Sequence, residues 1–382
     1  MTETYNHLFG PVPSRRFGQS LGVDLTPYKT CSLDCVFCQL GHTVDKTLHR
    51  KVYVPIDAVL AELDAWFATG AKADYITLSG AGEPTLHSQF GQVIEFIRKN
   101  SSIPAALLTN GTLLHLPEVR QSACEANVVK ISLSAWDQMS YEQVNRPHPL
   151  LRFDQLIEGQ KAFRAQFKGQ LWMEVFLIEG MNSRPDQVRR ISGLAEKIAP
   201  NHIHLNTAVR PPSEDFVTPL SKETLSALAP LFQPRAQVMA EFTTERHKHV
   251  QANQETIMAM LRRRPCTAKQ IADGFNMHLN TVSKYLGKLM RTHQIRAERR
   301  NTDVYYVAVD YAAGQSAPFQ RLGSAILIKV EPGIFDGVGF FVCDHVSPLR
   351  VRAKISSAFR RPDMGQICSI FPVQNRRNSK LF

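Results

Sequence analysis

No stretch of this 382-residue chain reaches 18 consecutive apolar residues, so no membrane span is expected. The N-terminal MTETYNHLFGPVPSRRFG lacks the apolar core of a secretory signal, and the expected compartment is the cytoplasm, where thiols stay reduced. The seven cysteines lack the even count of a disulfide framework. Three of them crowd into CSLDCVFC at positions 31 to 38, and that cluster lacks a fourth member, since Cys124, Cys266, Cys343 and Cys368 lie far off in sequence. The first 250 residues also lack any charge bias, with 25 Lys and Arg against 25 Asp and Glu.

The rest of the chain supplies that bias. Of 45 basic and 34 acidic residues, 20 basic and 9 acidic fall beyond residue 250, and they account for the whole net charge of +11. A break of this kind marks two functional units, the second facing a polyanion or presenting a solvated basic surface. The expected boundaries are 1–250, 251–310, and a basic tail over 311–382 whose weak periodicity implies no particular fold.

Residues 20–232 alternate short β-branched runs with stretches of helical periodicity. SLGVDL (20–25), DYITLS (74–79), IPAALLT (103–109), VVKISLS (128–134), LWMEVFLI (171–178) and HIHLNT (202–207) read as strands. PIDAVLAELDAWFAT (55–69) puts Ile56, Val59, Leu60, Leu63 and Phe67 on one helical face. SQFGQVIEFIRK (88–99) does so with Phe90, Val93, Ile94 and Ile97, and DQVRRISGLAEKIA (186–199) with Val188, Ile191, Leu194 and Ile198. Such alternation implies an α/β fold with parallel pairing. Six units are too few for a closed eightfold barrel, leaving a partial barrel or an open doubly wound sheet. In either, ligands gather at the C-terminal strand ends, where SGAGEP, TNG, SAWD, EGMN and AVRPP stand.

Beyond residue 251, QETIMAMLRRR (254–264) is an amphipathic helix stopped by Pro265, and Thr267 caps AKQIADGF (268–275). LNTVSKYLGKLMRTH (279–293) turns Val282, Leu286 and Leu289 to one side, and IRAERRNTDVYYVAV (295–309) reads as a hairpin with Asn301 to Asp303 at its tip. This order resembles a winged helix-turn-helix. The resemblance implies a recognition helix bearing Lys284, Lys288 and Arg291 and a wing bearing Arg296, Arg299 and Arg300, with DNA or RNA as partner.

Three clustered thiols suit a metal. Zinc would need a fourth ligand, which His42 or His49 would supply. An iron–sulfur cluster held by three thiolates leaves one iron open. The spacing of CSLDCVFC, with an aromatic before the last cysteine, resembles the radical S-adenosylmethionine (radical SAM) superfamily. That resemblance implies a partial (β/α)6 barrel, a four-iron four-sulfur cluster on Cys31, Cys35 and Cys38, and S-adenosylmethionine on the fourth iron. SGAGEP (79–84) resembles the superfamily's glycine–glycine–glutamate motif, displaced by Ala81. TNG and ISLS (131–134) resemble its third and fourth strand ends. The residues so implied for S-adenosylmethionine are Phe37, Gly80, Gly82, Glu83, Pro84, Asn110, Ser132, Ser134 and Arg146. A reductant protein such as flavodoxin or ferredoxin is implied as partner.

GPVPSRRFGQSLGVDL and NTAVRPP (206–212) are distantly similar to wyosine-type tRNA-modifying enzymes, which gives Arg15, Arg16 and Arg210 an anionic substrate to hold. The chain departs from those enzymes in having no cysteine before Cys31. Apolar strand residues Ile76, Leu78, Leu107, Ile131 and Leu133 are expected to wall the barrel mouth. The expected function is reductive cleavage of S-adenosylmethionine to a radical that takes hydrogen from a nucleic-acid base or a small molecule. The alternative is an iron–sulfur sensor that binds DNA through its winged helix.

Overall fold

In the computed structural model, which describes residues 5–239, 253–275, 277–300 and 303–309, the chain enters through an antiparallel hairpin. Strands β1 (Leu8–Ser14) and β2 (Gly18–Val23) form it, with a register shift between Phe9 and Val12. Two short parallel strands, β3 (Thr30–Cys31) and β4 (Asp45–Lys46), bracket the cysteine loop. There follow α1 (Ile56–Ala68), β5 (Tyr75–Leu78), α2 (Phe90–Asn100), β6 (Ala105–Leu108), α3 (Pro117–Ala123), β7 (Val128–Ser132), α4 (Gln138–Asn145) and α5 (Phe153–Gln166). Then come β8 (Gln170–Phe176), α6 (Pro185–Ile198), β9 (His202–Asn206), α7 (Lys222–Leu228) and β10 (Gln237–Val238). One eight-stranded sheet runs β1-β2-β5-β6-β7-β8-β9-β10, parallel throughout except at β1. Each of the six expected strands is thus one of its inner members, and the fold is α/β with a mostly parallel sheet.

The helices are fixed by the apolar stripes read from the sequence. On α1, Ile56, Val59, Leu63 and Trp66 are buried, and on α2 Phe90, Val93, Ile94 and Ile97. Asp137 caps α4 through Ser140 N, and Pro185 opens α6 at a position where its missing N–H costs nothing.

Period-two alternation divides the sheet. Ile76, Leu78, Leu107, Ile131 and Leu133 share one core with Val59, Leu63, Val93 and Ile191 of the helices. Ile76, Leu78, Leu107 and Ile131 therefore lie under the helices rather than along the site, where the sequence reading placed them, while Leu133 also lines the small cleft beside Ser132 and Ser134. Alternate residues reach the other face, where an apolar cluster of Phe17, Ala106, Val128 and Trp172 lies beside a polar set. Ser20 and Thr77 share a hydrogen bond of 2.8 Å, and Lys130 Nζ lies 2.6 Å from Glu174 Oε2. Arg16 is also paired with Glu174, and Asn206 donates to it at 3.1 Å.

The second unit has its own apolar core. It comprises α8 (Gln254–Arg263), β11 (Cys266–Thr267), α9 (Ala268–Phe275), α10 (Leu279–Arg291), β12 (Ile295–Arg300) and β13 (Asp303–Ala308), with strand order β11-β13-β12. Thr267 and Gln270 form a reciprocal cap, each side chain accepting from the other's backbone N–H at 3.1 Å. Val282, Leu286 and Leu289 are buried as expected. The unit docks through Arg263, which pairs with Asp24 at 2.6 Å and lies over the Phe9 ring at 3.9 Å, and through Gln270 Nε2 to Val209 O at 2.9 Å. Asn301 and Thr302 at the expected hairpin tip, and the tail from 310 onward with Cys343 and Cys368, lie outside the described residues.

Burial opposes the charge on Glu174, but Arg16 and Lys130 outweigh it and hold the carboxyl well below the ordinary carboxylate range. A depressed carboxyl contributes its full stability above the unfolded value of about 4.3 and loses it as pH falls toward the folded value. Glu174→Gln strands two buried cations and should cost about 3–5 kcal/mol in urea denaturation at pH 7. The gap from the unaltered protein should narrow below about pH 4; a gap independent of pH would mean that lost packing, not lost charge, is responsible.

Candidate functional site

The loop from β2 to α1 carries the three cysteines, and α4 holds it in place. Asp34 N and Val36 N donate to Asn145 O and Val144 O, each at 3.1 Å, and Thr43 N donates to Asp34 Oδ1 at 2.7 Å. Each sulfur meets a different nitrogen donor. Lys29 Nζ lies 3.0 Å from Cys38 Sγ, Asn145 Nδ2 lies 3.2 Å from Cys35 Sγ, and Asn110 Nδ2 lies 3.6 Å from Cys31 Sγ. Lys29 adopts φ 55, left-handed and strained for a side-chain-bearing residue, while its N–H binds Ala81 O at 2.6 Å. Burial pushes the Cys31 thiol up to about 12, with Glu83 adding to it, and burial likewise raises Cys35. Such thiols ionise when a metal charge compensates them.

The SGAGEP turn lies against this loop. Gly80 has φ +155, and a Cβ there would stand 2.4 Å from Asp24 Cγ; at Gly82 one would stand 2.0 Å from Thr30 O. Both glycines are thus required by internal packing. Glu83 is buried and caps the 3₁₀ turn Pro84–Leu86. Its Oε1 accepts from Thr85 N (3.1 Å), Thr85 Oγ1 (2.6 Å) and Thr109 Oγ1 (2.6 Å), and its Oε2 from Asn110 N (2.8 Å). Burial raises its carboxyl against the pull of these donors.

Asn110, Ser132 and Ser134 meet around a cleft of about 10 Å³, together with Tyr141 and Asn145. That is room for about one water. Ser134 Oγ is committed to Phe176 N at 3.0 Å. Phe37 stacks on Phe176 with ring centres 4.0 Å apart. Arg146 does not join the cluster and pairs with Glu214 instead. His42 faces Asp34 and Glu214 rather than the cysteines. Cys124 packs beside the main core, and Cys266 is buried in the second unit.

Sequence reading passed over three residues here. Lys29 was visible two positions before Cys31. Asn145 adjoins the chosen Arg146, and only the fold shows that it, not the arginine, touches sulfur. The buried Tyr141 hydroxyl has no partner among the described residues, and its pKa is raised by burial and by Cys35 and Cys31 beside it. No sequence motif marks it.

A model of the radical SAM superfamily matches residues 25–190. A UPF0026 protein of Helicobacter pylori strain J99 is 32% identical over 307 residues, which are 79% of this chain and 97% of that relative. The chain belongs to the UPF0026 family. A protein named GTPase Obg from Brachyspira hyodysenteriae is also 32% identical over 303 residues, and there the chain spans 45% of the relative's length. A solved radical SAM methyltransferase from Sphaerobacter thermophilus aligns with TM-score 0.43 at 16% identity, over 57% of this chain and 66% of that one.

Residues 25–190 of the UPF0026 chain are thus similar to the radical SAM superfamily, whose cofactors are a four-iron four-sulfur cluster and S-adenosylmethionine. The donor set fits the cluster. Three thiols stand in one loop, each beside its own nitrogen donor, and a cubane takes each thiolate on a different iron. No helix among the described residues is long and apolar enough to cross a membrane.

Replacing Cys31, Cys35 or Cys38 by Ala should each abolish the brown cluster absorbance of anaerobically reconstituted protein. Cys124→Ala and Cys266→Ala should keep iron and sulfide near four per chain. Loss of iron from the latter two would move the ligand set.

Proposed function

We propose that this UPF0026 protein is a radical S-adenosylmethionine enzyme whose cluster sits on Cys31, Cys35 and Cys38. The observation that carries this reading is the cysteine loop itself, three thiols inside a radical SAM domain with a separate nitrogen donor on each sulfur. When bound, the cluster and S-adenosylmethionine would supply one-electron reductive cleavage of the sulfonium, releasing methionine and initiating hydrogen abstraction, with a flavodoxin- or ferredoxin-type protein as electron source.

The chain's own part is holding and orienting. Lys29, Asn110 and Asn145 fix the three sulfurs and offset their charge. Glu83 Oε2 accepts a single hydrogen bond and keeps capacity for an ammonium group, while Oε1 is fully occupied. Pro84 locks the turn behind it. Gly80 and Gly82 let that turn press against the cysteine loop, and Phe37, Asn110, Ser132 and Ser134 complete the wall on which S-adenosylmethionine would lie. Arg146, held by Glu214, would stand at its edge.

A second contact rests on the basic helix. Lys284, Lys288 and Arg291 on α10 and Arg299 on β12 are exposed and make no ion pair among the described residues; Arg300, also exposed, reaches Glu298 at 3.4 Å. As a winged helix, this unit would dock nucleic acid through those side chains. An iron–sulfur regulator would use the same helix without consuming S-adenosylmethionine.

Reduced, reconstituted protein should release 5′-deoxyadenosine from S-adenosylmethionine, measured by chromatography, and Cys35→Ala should release none. Cluster-loaded protein that releases none leaves the regulator as the better reading. Replacing Lys284, Lys288 and Arg291 together by Ala should weaken oligonucleotide binding and flatten its log–log salt slope by about 2–3. An unchanged slope removes α10 from the interface.

A further inference from the structure

We infer that the cavity beside Cys38 binds the phosphate monoester group of a small substrate, gripped by Arg15, Arg210 and Arg264. This inference deepens the radical-enzyme reading and rests on it for the word substrate. The cavity has a volume of about 270 Å³, at the small end for organic ligands. Its charged lining is Arg15, Arg16, Arg210 and Arg264 against the one carboxylate of Glu174, and Cys38 stands in its wall.

Glu174 is already shared between Arg16 and Lys130. Among the described residues the other three guanidiniums make no ion pair, and Arg210 also hydrogen-bonds Cys266. Arg15 donates to Asn206 Oδ1 at 3.3 Å and to Met239 O, Arg210 to Gln39 Oε1 at 3.0 Å, and Arg264 to Pro13 O at 3.4 Å. Neutral acceptors aim a guanidinium without neutralising it. Arg210 is only 4% exposed, and its Nε has no partner among the described residues. Burial and then the neighbouring Arg264 lower Arg210 to about 10, and burial and then Arg210 lower Arg15. Three cations held together with no ion-pair partner among the described residues are costly unless an anion joins them.

The charge chooses the anion. A carboxylate is satisfied by one arginine fork, whereas a phosphate monoester offers three terminal oxygens and nearly two negative charges at neutral pH. A phosphodiester of a nucleic-acid backbone brings only one charge. Arg264 follows the last residue of α8, so the anion site is complete only with the second unit docked against β1 and the Asp24–Arg263 pair made.

The test is calorimetric titration of the full-length, cluster-loaded protein in phosphate-free buffer at fixed ionic strength. Inorganic phosphate should bind saturably, and dimethyl phosphate and acetate should bind at least roughly tenfold more weakly. Arg210→Gln and Arg264→Gln should each weaken phosphate by a similar factor of roughly ten or more, and Lys72→Gln on the distant surface should not. Arg264 is only partly buried where Arg210 is buried, so its variant keeps the test alive if Arg210→Gln fails to fold. Equal binding of acetate or dimethyl phosphate, unaltered binding by both arginine variants, or displacement of phosphate by S-adenosylmethionine would each overturn the site. S-adenosylmethionine cleavage by the unaltered protein is scored separately. Its failure sinks the radical reading, while lost phosphate affinity with cleavage intact sinks only the anion site.

Discussion

One buried carboxylate organises the inner face of the sheet. Glu174 on β8 takes Lys130 from β7, Arg16 from the β1–β2 turn and Asn206 from β9. A buried cation with no partner costs several kcal/mol, so the strands that carry these groups have one register in which all are satisfied. The antiparallel hairpin at the sheet edge is anchored from within by Arg16, and the same arrangement leaves His204 neutral, its pKa lowered to about 3 by burial and by Arg16. Glu174 is taken by Arg16 and Lys130 in direct ion pairs, so Arg15, Arg210 and Arg264 line the neighbouring cavity without an ion-pair partner among the described residues.

The six inner strands could be anticipated because local pattern marks them, β-branched runs alternating with helical stripes, whereas their order in the sheet comes from the fold. The hairpin strand β1 escaped because its Gly10, Pro11 and Pro13 read as loop, although an edge strand tolerates proline where a ladder bond is dispensable. The orientation of the sheet was misjudged for a different reason. Ile76, Leu78, Leu107, Ile131 and Leu133 are the most apolar strand positions, and in a sheet covered by helices the apolar set belongs under those helices. The polar set, Thr77, Lys130, Glu174 and His204, lies on the opposite face beside Ala106, Val128 and Trp172, and Glu174 reaches the cavity beside Cys38.

Within the site, local motifs were legible and long-range partners were not. The cysteine spacing announces itself in eight residues. The pair Arg16–Glu174 is 158 positions apart, and Asn145 to Cys35 is 110. Nothing in a single sequence couples such positions. Arg146 attracted attention as the cation of its segment, yet it adopts φ 44 at the end of α4 and turns to Glu214, while its neutral neighbour meets the sulfur. Chemical type pointed to the right loop and backbone geometry chose the side chain.

Asp24 joins these threads. Both its oxygens accept Ala81 N at 3.1 Å, and one of them takes Arg263 Nη1 at 2.6 Å. The tight turn at Gly80 exists because Asp24 fills the space where a side chain would be. Arg263 immediately precedes Arg264, so a single carboxylate sets both the turn that presents Glu83 to the cysteine loop and the register of the arginine in the anion cavity. Residues 254–309 are therefore fixed to the Gly80 turn through Asp24 and not merely tethered. Undocking them would remove a guanidinium from the cavity lining and an ion pair from the Gly80 turn in one event.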